Sequence, residues 1–139
     1  GVADTWATVS ADSHKHGVAF FLDFFAAHPN YQDFFPKLEG KSGSALKGDP
    51  NMQAQADAVM AAIGQCVAAG GDKGALAGPL GALAKTHLPR GIKSAYFKDA
   101  FDSFVAYLGK SGVSTDGWPA AIDTIMEVLT AELKKHGGS

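Results

Sequence analysis

His87 is the residue of this chain whose type and surroundings come nearest to chemistry. It ends a short run that carries Leu76, Leu80 and Leu83. A lone histidine at a helix end has an ordinary explanation, a cation facing the negative end of the helix dipole. A metal-ligating role needs more: the imidazole must be held in one tautomer, with the proton on Nδ1 and the lone pair on Nε2. Two acceptors lie close enough in sequence to do this, the Thr86 hydroxyl and the Leu83 carbonyl one turn back. Gln55 comes second. It sits one turn before Val59 on a long apolar segment. Its amide either lies half exposed at the edge of a core or donates a hydrogen bond into a pocket. Gln53 competes for the same role.

Other constellations are weaker. Glu39-Gly40-Lys41-Ser42 resembles the end of a phosphate-binding loop, but the glycine such a loop needs five residues earlier is Phe35. Ser44-Ala45-Leu46-Lys47 fits the Ser-x-x-Lys pattern of some acyl enzymes without its partner motifs, and reads as a solvated turn. There is no His-Glu-x-x-His and no Cys/His cluster, so a zinc site of the usual spacing is not expected.

The elements that must position these residues are helices. Val18, Phe21, Leu22 and Phe25 recur at helical spacing, as do Met52, Ala56, Val59, Ile63 and Val67. Phe97, Phe101, Phe104 and Leu108 mark a third face, and Trp118, Ile122, Ile125, Leu129 and Leu133 a fourth. Convincing polar/apolar alternation is missing. The spacing predicts a short helix around Trp6, then helices over about 12–27, 50–69, 75–88, 92–109 and 117–136, with a one-turn piece at 29–34. His28-Pro29 ends the Phe-rich helix, because the residue before proline avoids the α region. Gly-rich breaks are expected at Glu39 to Asn51, at Gly70 to Gly81 around Asp72, Gly78 and Pro79, and at Gly109 to Pro119. Asp116 is the expected cap of the last helix, with Pro119 tolerated in its first turn. Lys134, Lys135 and His136 suit that helix's C-terminal dipole, and Gly137 stops it.

Composition narrows the function classes. The chain has 139 residues, 46% hydrophobic and 19% charged, which suits one folded domain over 1–139. A net charge of -2 gives no reason to expect nucleic acid or an anionic membrane as partner. A single cysteine, Cys66, cannot staple the chain, so an intracellular, cytoplasmic setting is expected. No apolar run of signal-peptide or membrane-span type is present. Six of nine phenylalanines, Phe20, Phe21, Phe24, Phe25, Phe34 and Phe35, crowd into one short stretch and imply a large apolar wall nearby.

Taken together, the residues resemble the globins, in particular invertebrate myoglobins and haemoglobins of molluscan or annelid type. Trp6 looks like the family's first-helix tryptophan. Gly17 falls where two crossing helices leave no room for a side chain. Pro29 looks like the opening of the third helix, and Asn30-Tyr31-Gln32-Asp33-Phe34-Phe35 leads to the phenylalanine that stacks on haem, here Phe35. His87 followed by Arg90-Gly91-Ile92 resembles the proximal histidine and its exit turn.

The resemblance implies an all-α globin fold of six to eight helices around a haem pocket. It implies haem b, iron protoporphyrin IX, with His87 Nε2 as the iron ligand. Phe35, Val59, Leu83, Ile92, Phe97 and Phe101 would form the apolar wall. Phe21 would overhang the ligand site, and Gln55 would stand where the usual distal histidine stands and donate to dioxygen. Arg90 or Lys93 would pair with a haem propionate. Three features depart from the vertebrate pattern: a shorter N-terminus, Gln55 for histidine, and Ala58 in place of a basic arm toward the propionates. The function implied is reversible binding of dioxygen and other small diatomic ligands by a non-enzymatic monomer or homodimer. Competing readings are a haem peroxidase or nitric oxide dioxygenase, a sulfide-binding globin, and a haem-free helical interaction module. Peroxidase chemistry needs a distal acid/base, which an amide does not supply.

Overall fold

The computed structural model describes residues 2–35, 38, 40, 43–87 and 91–137. Every regular element among them is helical: α1 (Val2–Ser10), α2 (Ser13–Ala27), a 3-10 turn (Pro29–Phe34), α3 (Gly43–Lys47), α4 (Pro50–Ala68), α5 (Lys73–His87), α6 (Ser94–Lys110) and α7 (Trp118–Lys135). The five long helices expected from periodicity form within two residues of their expected ends.

Three expectations need correction. The Glu39 to Asn51 break contains a short helix, α3, and ends in a deliberate start: the Asp49 carboxylate accepts hydrogen bonds from the Asn51 and Met52 amides and caps α4. The Gly70 to Gly81 break is confined to its first residues. Asp72 accepts from the Gly74 and Ala75 amides, and α5 runs straight through Pro79. An interior proline costs about 3 kcal/mol, and the burial of Leu76, Leu80 and Ala84 offsets it. Finally, Asp116 does not cap α7. Gly117 holds that position at φ 82°, and the Asp116 amide instead donates to Ser114 Oγ. Pro119 does sit in the first turn, and Gly137 ends the helix at φ 86°.

Close helix approaches set the architecture. An added Cβ on Gly17 would lie 2.8 Å from Met60 Cγ and 3.1 Å from the Ala56 carbonyl oxygen, so α2 and α4 cross with their backbones nearly touching. Trp6 lies against Gly64, fixing α1 on the other side of α4. Gly81 faces the buried Glu132 and lets α5 close on α7. Behind these crossings Phe20, Phe21, Phe24 and Phe25 are all buried. Phe20 stacks on Phe24 at 5.8 Å and meets Phe104 of α6 edge-on at 5.3 Å. A buried phenylalanine contributes roughly 1.5–3 kcal/mol, so this wall is a principal anchor of α2 to α6.

Candidate functional site

The last turn of α5 carries His87 into the interior, 7% exposed. Its Nδ1 is 2.8 Å from the Leu83 carbonyl oxygen and 2.9 Å from Thr86 Oγ1. A carbonyl oxygen has no proton to give, so Nδ1 carries the hydrogen and the lone pair is on Nε2. Thr86 Oγ1 donates to the same Leu83 carbonyl at 3.0 Å, which uses its second lone pair. The ring is walled by Phe97 at 5.1 Å, nearly edge-on, and by Tyr96 at 6.5 Å. After the residues that follow α5, the Ile92 amide returns to the His87 carbonyl at 3.4 Å.

His87 borders two adjacent clefts. An inner chamber of about 50 Å³ is lined by Phe21, Val59, Leu83, Phe97 and Phe101 among others. An outer cleft of about 190 Å³ is lined by Gln55, Ala58, Val59, Leu83, Thr86 and His87. Val59, Leu83 and His87 line both; the two adjacent clefts, together the slot, have an apolar back and a polar rim. Most residues singled out in the sequence therefore meet here. Gln53 does not; its amide donates to the Lys47 carbonyl at 3.2 Å and fastens α3 to α4. Phe35 is buried against Phe25 at 5.7 Å, and Ile92 is fully buried; neither is among the residues lining the two clefts. Arg90, and most of the Glu39-Gly40-Lys41-Ser42 segment, lie outside the described residues. Lys93 is exposed at the start of α6.

Sequence periodicity missed several chamber residues. Phe20, Ala62, Cys66, Tyr96, Ala100 and Phe104 also line it. Their spacing marks them only as core, and nothing local separates a core position from a chamber wall. Burial pushes the Cys66 thiol up to about 11, so it stands in the wall as an uncharged, weakly polar group.

The donor set fits an iron-bearing macrocycle better than a bare ion. No group of three or more His, Cys, Asp or Glu side chains suited to a metal exists among the described residues. One imidazole holds iron only if the other ligands arrive with it. A flat, largely apolar group with polar edges matches the apolar back and open rim of the slot.

Comparison with known proteins agrees. The Globin family model matches residues 18–134. A globin of Aequiyoldia eightsii is 31% identical, covering 89% of this chain and 88% of its own. A globin of Nerita albicilla is 26% identical over 96% of this chain and 89% of its own. Among solved structures, ferric Aplysia limacina myoglobin with azide superposes at a TM-score of 0.85 and 24% identity, covering 98% of this chain and 93% of that one. The all-helical fold and the family match agree: this chain belongs to the globin family.

Proposed function

We propose that this globin binds haem b in the slot beside His87 and, through it, binds dioxygen reversibly for storage or transport. The observation that carries the reading is the His87 imidazole, locked with its lone pair on Nε2 at an apolar chamber whose outer rim holds Gln55. Bound haem supplies an iron at which a diatomic gas is held reversibly. His87 Nε2 would hold the iron from the α5 side. Gln55 lines the same cleft as His87 and its NH2 would donate to a bound gas; the amide has no titratable proton to hand over. Phe21, Val59, Leu83, Phe97 and Phe101 keep water from the ligand position. Phe35 and Ile92 back that wall, and Lys93 or Arg90 would pair with a haem propionate. Ferric A. limacina myoglobin, a protein of similar fold, binds azide, which supports a small-molecule ligand site in this fold. The whole chain acts as one globin domain, and the sole, buried Cys66 suits an intracellular store.

Absorption spectra of the deoxy, oxy and carbon monoxide forms test this. A stable oxy form that reverts on removal of dioxygen is expected. Oxidation too fast for any oxy form to be seen overturns storage, and protein without a Soret band after expression with haem overturns the cofactor.

A further inference from the structure

Where α1 hands over to α2 beside α4, the surface dips into a hollow of about 310 Å³. Trp6 and Ser10 of α1, Ser13 of α2, and Asp57, Met60 and Ala61 of α4 line it. None of them lines either cleft beside His87. We propose that this hollow is a binding site for a small organic ammonium ion, held between the Trp6 indole and the Asp57 carboxylate. The site is a property of the chain alone and does not rest on the oxygen-binding reading above.

The lining selects by charge. Asp57 is its one charged residue among the described ones, so an anion meets repulsion with no cation to offset it. Among the described residues the carboxylate has one partner: His14 Nδ1 lies 2.8 Å from Oδ1. That contact orients the group and leaves Oδ2 for a ligand. A bare metal ion needs several oxygen ligands, and no group of three or more suitable side chains exists among the described residues. An organic cation needs only one counter-charge and a surface to cover its carbon.

Trp6 supplies that surface, since indole is the best aromatic partner of a cation. The ring is only partly buried, yet it is fixed by its neighbours. An added Cβ on Gly64 would lie 3.3 Å from Trp6 Cζ2, and Phe104 stands 6.4 Å away between ring centroids. A ring already held loses little freedom when a ligand arrives. Met60, 2% exposed, adds a polarizable thioether to the lining. The Ser10 and Ser13 hydroxyl oxygens can accept from an ammonium N–H or a ligand hydroxyl.

Choline chloride is the probe, and its isostere with carbon in place of the quaternary nitrogen is the control. Each is titrated into the full chain, with and without haem, while the Trp6 Nε1–H resonance is followed. Choline should shift that resonance saturably in both forms. The uncharged isostere should bind about 2- to 30-fold more weakly, the span a cation–π contact covers. Asp57→Asn keeps the shape and removes the charge; it should weaken choline severalfold and leave the isostere unchanged. Ala61→Phe, at an exposed position of the lining, plants a ring in the hollow and should abolish binding, whereas Gln65→Phe, exposed and outside the lining, should not. Trp6→Leu should weaken choline as well; Trp6 also anchors α1, so Ala61→Phe decides if that variant folds poorly. Absence of a saturable choline shift overturns the site. So does equal affinity for choline and its isostere, or wild-type choline binding by the Asp57→Asn protein. Choline binding by a chain that takes up no haem upholds the site and sinks the oxygen-binding reading instead.

Discussion

His87 Nδ1 lies 2.8 Å from the Leu83 carbonyl oxygen, a contact within one turn of the same helix. The bond sets the tautomer from the backbone, so it survives most side-chain substitutions. His87→Gly should lose the ligand outright: haem retention falls, and added imidazole restores the spectrum. Thr86→Val removes only the helper hydroxyl. Outer-shell changes cost about 10–100-fold in metal affinity, and the retained Leu83 bond places this variant at the low end. Haem transfer to an acceptor protein measures both.

Gln55→Leu removes the one amide on the slot's rim without changing its size greatly. A typical hydrogen bond is worth about 0.5–1.5 kcal/mol net, so dioxygen dissociation should speed up about 2- to 13-fold. Carbon monoxide, a poorer acceptor, should change less. Gln53→Leu should leave both rates alone, because its amide is spent on the Lys47 carbonyl. Stopped-flow ligand replacement distinguishes the two.

Gly17 tests the helix crossing. Gly17→Val should destabilise by about 1–3 kcal/mol through overpacking against Ala56 and Met60. Gly17→Ala should cost less, since helix propensity returns up to about 1 kcal/mol and Met60 can turn aside, whereas the Ala56 carbonyl cannot. Urea midpoints at unchanged slope are the measurement.

These sites differ in how far the sequence exposed them. The His87, Thr86 and Leu83 arrangement was legible because it is local: helix geometry alone puts the three together. Gly17 and Trp6 were legible through whole-chain spacing, and the structure gives each a partner, Met60 and Gly64. Asp49 and α3 were not, because a Gly-rich stretch reads as coil until tertiary contacts bury Leu46 and Met52. Pro79 was placed in a break that overlapped the helix expected over 75–88; the helix prevails, because packing on α7 overrides the local penalty. Asp116 had the right chemistry, but Gly117 took the left-handed step that starts α7. That Ile63, Cys66 and Phe101 each line both the chamber and a second cleft between α1, α4 and α7 was invisible, since helices must cross before one residue faces two spaces at once.

Cys66 gives the alkaline behaviour. Its pKa rises from 9.0 to about 11 on folding. The unfolded chain therefore releases the thiol proton first, and stability contributed by this group is full below pH 9, falls as pH rises through the interval and is lost near 11. Cys66→Ala should remove that part of the alkaline slope, read by urea unfolding at stepped pH. Native protein at pH 8 should also react with disulfide reagents far more slowly than unfolded protein.

Trp118 buries its indole nitrogen with no hydrogen-bond acceptor among the described residues, while Trp6 is only partly buried. The chain thus carries two optical reporters in contrasting surroundings. Emission from Trp118 should lie to the blue of Trp6, and each can be read separately in Trp6→Phe and Trp118→Phe variants. Because Trp118 also lines a cleft of about 310 Å³ between α1, α4 and α7, its emission will register changes in the packing around that space.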